Sequence, residues 1–235
     1  MAALWDDPRI KRAMSVQLAK RRALIDAGGA SLGWKVGFGS APAMEKFKIT
    51  APLVGFLMKG GLVASGDTVP LKGWVKPVAE PEIAVHIGQD LPPGGDVAAA
   101  AAAIAALSPA IELADADLPF EDPEAIVANN IFQRHVVLGP RDPSRAGGNA
   151  SGLTGRVIRR GAESARTTDP EAATGKLVDT VRHVADLLGA FGERLRAGDI
   201  IIGGSVTPPV FVELDEPGIT FALDPIGEVA VRFAR

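Results

Sequence analysis

The sequence predicts an α+β fold with a closed or rolled mixed sheet. Strand-like apolar segments are many and short, helical segments number only about four, and the two do not alternate as βαβ units would require. At 235 residues the chain can bury a substantial core, and it shows no internal repeat and no disordered linker.

Residues 8–27 read as a helix, because Ile10, Met14, Leu18 and Ile25 recur at helical spacing. Asp7 is placed to cap it, Pro8 sits in its first turn, and Gly28-Gly29 stops it. Residues 1–30 are therefore expected to form an N-terminal helical segment ahead of a domain spanning residues 31–235. Residues 32–38, apolar around a single lysine, suggest a strand, followed by a brief helix at 43–47 and a strand at 54–58. A short strand is expected at 67–71 and a longer one at 75–87. Pro77 and Pro81 inside the latter imply an edge, a bulge or a bend. Residues 96–107 are alanine-rich behind Asp96 as N-cap and read as a helix. Strands are expected at 110–114, 132–138 and 152–159, then an amphipathic helix at 177–195. Four strands close the chain at 199–202, 210–214, 219–223 and 229–233, and residues 141–149 have the Gly, Pro and charge content of a surface loop.

Composition excludes several classes of function. Hydrophobic residues make up 47% of the chain and charged residues 23%, a globular balance. A net charge of −3 provides no basic field for nucleic acid or anionic lipid. The absence of cysteine rules out disulfides, thiolate nucleophiles and thiolate metal sites together. Residues 1–20 lack the apolar core of a signal peptide, and no uninterrupted apolar run could span a bilayer, so a cytoplasmic address is expected.

Three carboxylates stand out. Glu80 and Glu82 lie two apart in a strand-like segment and should project side by side, where like charges repel and resist desolvation. Glu112 is flanked by Ile111 and Leu113 and meets the same difficulty. A shared divalent cation would resolve it, and an all-oxygen ligand set selects Mg²⁺ or Mn²⁺ over Zn²⁺. The residue types alone favour a solvated strand edge that binds nothing, a balance that the apolar flanks of Glu112 shift without reversing. Lys35 can be a buried acid–base group or a snorkelling lysine.

Other motifs carry less. The glycines around Lys35 do not form a P-loop, and the Gly175-Lys176 pair also fails that pattern. His86, His135 and His183 are too scattered for a metal motif. His86 is in phase with Glu82 along a regular strand but reads as a core histidine, and His183 as a surface residue. No Gly-x-Ser-x-Gly elbow is present. In the turn at residues 203–209, the hydroxyls of Ser205 and Thr207 and the glycine amides could bind an anionic oxygen.

The ordered set resembles the 2-keto-4-pentenoate hydratase and 4-oxalocrotonate decarboxylase group of the fumarylacetoacetate hydrolase superfamily. The landmarks are Gly33-Trp34-Lys35-Val36-Gly37, residues 52–57, Glu80-Pro81-Glu82-Ile83-Ala84 and Pro109-Ala110-Ile111-Glu112, then Asn129-Asn130, Val137-Leu138-Gly139 and residues 195–201 leading into Gly204-Ser205-Val206-Thr207-Pro208. The likeness covers about residues 30 to 235. It implies a mixed β-roll or sandwich, Glu80, Glu82 and Glu112 as Mg²⁺ ligands, Lys35 as the catalytic lysine, and substrate contacts from Asn130, Ser205 and Thr207.

The implied activity is hydration of a 2-hydroxy-dienoate or 2-oxo-enoate to a 4-hydroxy-2-oxo acid, in aromatic-compound catabolism. Decarboxylation of a 2-oxo-dioic acid is the alternative within the group, and a non-catalytic subunit that keeps the fold is the alternative outside it. A homo-oligomer is implied, as is a decarboxylase or aldolase partner. The chain departs from the family pattern in reaching the lysine motif by residue 35, in Asn129 where an aspartate is usual, and in Ile131-Phe132-Gln133-Arg134 where small residues are usual. No histidine precedes His86, which points away from the hydrolase branch and its lid His–Glu pair.

Overall fold

The computed structural model describes residues 3–235. Asp7 caps α1 (Pro8–Asp26), its carboxylate accepting from the Arg9 amide at 2.9 Å. Then follow β1 (Ser31–Gly37), α2 (Ala41–Phe47), β2 (Leu53–Met58), β3 (Leu62–Val63), β4 (Thr68–Pro70) and β5 (Pro77–Ile87). The middle of the chain forms α3 (Val97–Ala103), β6 (Ile104–Asp115), α4 (Pro123–Ala128), β7 (Gln133–Leu138), β8 (Thr154–Arg159) and β9 (Ala162–Thr167). The remainder is α5 (Leu177–Ala190), β10 (Ile200–Ser205), β11 (Val210–Phe211), β12 (Gly218–Asp224) and β13 (Gly227–Ala234).

Two sheets result. The larger runs β2-β1-β10-β5-β6-β7-β3, with β11 pairing β5 beside it, and the smaller runs β4-β13-β12-β8-β9. The larger sheet is strongly rolled. Lys35 on β1 forms an ion pair with Glu112 on β6, although β10 and β5 lie between those strands. In a flat sheet three strand spacings put them about 14 Å apart, beyond a lysine's reach. The seam of the roll lies between β2 and β7, where the Asn130 side chain accepts from the Phe56 amide at 2.7 Å and donates to its carbonyl at 2.9 Å.

The roll has its own apolar filling. Leu32, Leu57, Ala84, Ala110, Val136, Ile200 and Ile202 form a cluster separate from the main core. Ala84 is two residues beyond Glu82 and Ala110 two before Glu112, so this plug lies directly beneath the carboxylates on the same strand faces. The main core joins the outer face of the roll to the second sheet through Ile83, Ile111, Phe221 and Val231, and includes Leu4, Ile10, Met14 and Leu18 of the N-terminal segment.

Several expectations are corrected. The alanine-rich helix ends at Ala103 and the chain continues as the twelve-residue β6, because pairing with β5 along its length overrides helix propensity. Helix α5 stops at Ala190, ahead of Gly192 with φ +74°, and Leu195 instead bridges to Leu91. Strand β9 and helix α4 were not expected. The β8–β9 hairpin turns on Arg160 and Gly161, both at positive φ, a signal carried by one glycine in a polar stretch. The expected loop at 141–149 contains a 3₁₀ segment, Pro143–Gly148. Among the described residues, no helix is long and apolar enough to cross a membrane.

Gly33 holds β1 against β10. Its φ is +149°, and a Cβ there would strike the Ile200 carbonyl oxygen and lie 2.5 Å from the Ile200 nitrogen. Gly33→Ala is expected to destabilise the protein by at least about 2 kcal/mol in denaturant titration, against a near-neutral Gly60→Ala. A Cβ at Gly60 meets nothing within 4 Å.

Candidate active site

Four neighbouring strands supply the site. The β5–β6 register sets Glu80 directly opposite Glu112, and Glu82 follows Glu80 on the same face. Carboxylate oxygens of all three lie within 4.8 Å of one another. Glu82 and Glu112 are fully buried, while Glu80 faces a cavity. On the other side of β5, the β10 pairing shifts between Ile202 and Ser205, and this irregularity aims the Gly204 amide at Glu82 Oε2, 2.7 Å away.

Lys35 is held from three directions. Its register partner on β2 is Gly55, where a Cβ would come within 3.0 Å of the lysine's Cγ and 2.8 Å of Asn130 Oδ1. Its ammonium pairs with Glu112 Oε1 and donates to the Ile131 carbonyl at 3.1 Å. Asn130, Ile131 and Phe132 all adopt positive φ (59°, 51° and 64°), a conformation that a β-branched isoleucine disfavours. This left-handed run delivers the Ile131 carbonyl to Nζ. Lys35 is 3% exposed and therefore does not snorkel.

The charges interact strongly. Burial alone would depress the Lys35 ammonium, but Glu112, Glu80 and Glu82 outweigh it and raise its pKa. Burial, then the charge of Glu112, pushes Glu80 up to about 7 despite the opposing effect of Lys35. Burial, then Glu112 and Glu80, raises Glu82 well above the usual carboxylate range, with Lys35 and the Gly204 amide opposing.

The site opens into a cavity of about 460 Å³. Glu80, Lys35, Ser205 and Thr207 line it together with Phe38, Phe120, Phe132 and Phe211, and its depth runs from Lys35, 3% exposed, to Phe211, 51% exposed. Thr207 is 5% exposed, and its Oγ1 is buried without a hydrogen-bond partner. Ser205 Oγ donates to the Thr207 carbonyl at 2.7 Å.

The family model described as fumarylacetoacetate (FAA) hydrolase C-terminal matches residues 32–233. The chain belongs to the fumarylacetoacetate hydrolase family. It is 28% identical over 222 residues to the 4-oxalocrotonate decarboxylase of a Pseudomonas species, with 92% of this chain and 82% of that one covered. It is likewise 28% identical over 240 residues to the 2-keto-4-pentenoate hydratase of Paraburkholderia xenovorans strain LB400, covering 97% and 86%. Among solved structures, 4-oxalocrotonate decarboxylase from Pseudomonas putida G7 complexed with magnesium and adipate matches with a TM-score of 0.88 at 26% identity, covering 100% of this chain and 90% of that one. These relatives are lyases, and the family is enzymatic.

Within this family member the donor set fits a hard divalent cation. Glu82 Oε1 and Glu112 Oε2 are buried acceptors with no hydrogen-bond partner, a costly state that a cation among the three carboxylates would relieve.

Not every anticipated residue reaches the cavity. Both polar atoms of the Asn130 side chain are engaged by Phe56, so the expectation of a direct substrate contact is replaced by an anchoring place at the roll's seam. His86 shares the strand face of Glu82, but Ala84 lies between them and its Nε2 sits 2.8 Å from Ser108 Oγ. Burial, followed by the nearby Arg141, lowers its pKa to about 4, and it is a core histidine as anticipated. His183 is half-buried, its Nε2 2.8 Å from the Pro52 carbonyl, which corrects its placement on the surface.

Sequence reasoning missed the Ile131 carbonyl and the four phenylalanines, whereas the Gly204 amide binds an anionic oxygen as the 203–209 turn suggested, that oxygen belonging to Glu82. Backbone groups leave no residue-type signal, and the phenylalanines come from four distant places in the chain.

A pH dependence follows from the raised carboxyls. The folded metal-free protein holds protons on Glu80 and Glu82 more tightly than the unfolded chain does, so their contribution to stability is complete below the usual carboxylate range and is lost as pH rises, that of Glu80 through about 7. The melting temperature of metal-free protein is expected to be lower at about pH 8 than at about pH 5, with Mg²⁺ restoring it at the higher pH. Glu82→Gln should flatten the pH trend, as followed by calorimetry.

Proposed function

We propose that this protein is a Mg²⁺-dependent hydratase that converts a 2-hydroxy-dienoate or 2-oxo-enoate into a 4-hydroxy-2-oxo acid. The observation that carries this reading is the trio of Glu80, Glu82 and Glu112, the last two fully buried and the first facing the cavity, paired with Lys35 at the edge of a mostly apolar cavity. Glu80, Glu82 and Glu112 would hold the metal, with Mn²⁺ as an acceptable substitute. When bound, it supplies Lewis-acid polarisation of the substrate's 2-oxo group.

The chain's own groups do the rest. Lys35, kept protonated by the surrounding carboxylates, delivers its Nζ proton to the far carbon of the dienol while the proton of the 2-hydroxyl is released and returns to Nζ, leaving the 2-oxo-enoate and a protonated lysine. Water then adds across the resulting conjugated double bond, with its oxygen on C4 and its proton on C3. The unpartnered Thr207 Oγ1 offers a hydrogen bond to the substrate carboxylate, and Ser205 braces that hydroxyl through the Thr207 carbonyl. The Gly204 amide fixes Glu82, and the apolar walls exclude bulk water.

Similarity to both hydratases and decarboxylases supports a second reading, decarboxylation of a 2-oxo-dioic acid, which CO₂ release separates from hydration. A cytoplasmic homo-oligomer in aromatic-compound catabolism completes the proposal. Val16 and Leu24, exposed apolar residues on α1, support self-association.

The expected outcome is loss of dienol ultraviolet absorbance only when Mg²⁺ is present. Lys35→Met should lower kcat by about 10²- to 10⁴-fold while Mg²⁺ binding persists, and Glu82→Ala should abolish both metal binding and turnover. Turnover that survives Glu82→Ala, or proceeds in chelator, would sink the proposal. Failure of Mg²⁺ and oxalate to bind by calorimetry would favour a non-catalytic fold-retaining role.

A further inference from the structure

We propose that the substrate's end distal to the 2-oxo acid is a hydrocarbon tail with no second carboxylate, and that Phe38, Phe120, Phe132 and Phe211 select it. The inference rests on the reading of the carboxylate and lysine end given above and deepens it by naming the substrate class. It also selects hydration of a monoacid over decarboxylation of a dioic acid.

The cavity is divided by polarity. Among the described residues, Lys35 and Glu80 are the only ionisable side chains that line it, and both lie at the inner end. The rest of the lining is uncharged and mostly apolar: the four phenylalanines, Val78 and Ala116 belong to it, and Ser40 and Thr174 add side-chain hydroxyls beyond those of Ser205 and Thr207. Phe120 and Phe132 have ring centroids 5.4 Å apart, and Phe38 stands edge-on to both at 6.4 and 6.3 Å, so the wall is one packed aromatic surface. A carboxylate there would lose its hydration with no cationic side chain in the lining to replace it, only the hydroxyls of Ser40 and Thr174. A hydrocarbon tail would instead be drawn out of water by the same surface.

Size points the same way. A volume of about 460 Å³ corresponds to roughly fifteen water-sized groups, so a five-carbon 2-oxo acid would fill about half of it.

Lys76 is a cation beside this wall that could reverse the conclusion. Its Nζ lies 4.7 Å from the Phe211 ring centroid and 5.2 Å from that of Phe120, so it touches both rings without lining the cavity. A dioic acid long enough to leave the cavity could reach it.

Calorimetric titration in saturating Mg²⁺ distinguishes these cases, with oxalate as the probe of the inner end. The tail is probed with 2-oxopentanoate, 2-oxohexanoate and 2-oxoheptanoate, and with 2-oxohexanedioate, in which a carboxylate replaces the terminal ethyl of 2-oxoheptanoate. Affinity is expected to rise about fourfold per added methylene. 2-oxohexanedioate is expected to bind at least about tenfold more weakly than 2-oxoheptanoate. Phe211→Ser should reduce the gain per methylene, and Lys76→Ala should leave the order of the acids unchanged. Oxalate binding with a flat response to tail length overturns the inference while the inner site stands. Preference for 2-oxohexanedioate that disappears in Lys76→Ala overturns it in favour of a dioic substrate. Absence of oxalate binding overturns the reading of the inner end, and this inference with it.

Discussion

Three carboxylates facing one another inside an apolar roll are the constraint on which the rest of the structure depends. The register that puts Glu80 opposite Glu112 gives two like charges a shared strand face, and Glu82 adds a third. The plug formed by Ala84, Ala110, Val136 and their neighbours denies that face water from below. Such a cluster is tolerable only where positive charge or donors converge on it. Lys35, the Gly204 amide and the curvature that brings them close each meet that need. The roll is thus more than a way to bury hydrophobic surface, because without it β1 and β6 could not share an ion pair.

The strained segment at the seam serves the same end. Three consecutive residues at positive φ cost free energy, of order 1–3 kcal/mol apiece for non-glycine residues. Asn130 offsets part of this through two hydrogen bonds to Phe56, which tie the segment to β2 as if it were another strand. The run turns the Ile131 carbonyl inward to Lys35 and the Phe132 ring into the cavity wall. One local conformation therefore positions both a proton-carrying group and a surface that meets the substrate. This is also where the chain departs from the usual family pattern, so the departure alters the cavity wall and leaves the polar centre intact.

Much of this was legible in the sequence, and the limits have physical causes. Period-two spacing placed Glu80 and Glu82 on one face, and the apolar flanks of Glu112 marked it as buried. The main strands were recognisable because each is a short apolar run between turn signals. The site could not be assembled from local pattern, because Lys35 and Glu112 are 77 positions apart and meet only through sheet curvature. The alanine-rich segment misled because helix propensity is local while pairing with β5 is not. His183 and Asn130 misled for a related reason: a polar side chain on a helix or loop gives no sign that a distant carbonyl or amide will claim it.

Charge balance links the empty carboxylate acceptors to the nature of the ligand. Three carboxylates and one ammonium leave two negative charges uncompensated in a desolvated site. Protons taken up by Glu80 and Glu82 can cancel that excess, which is why both carboxyls titrate high, and a divalent cation can cancel it in their place. Proton and metal thus compete for the same oxygens, and the metal gains as pH rises. Once the cation is in place the centre is formally neutral, and a 2-oxo acid brings a single negative charge beside Lys35 and the Thr207 hydroxyl. A second carboxylate on the same ligand would find the charges of the centre already matched and no further cationic side chain lining the cavity. The electrostatics that assemble the inner site therefore also set the polarity of what can extend from it.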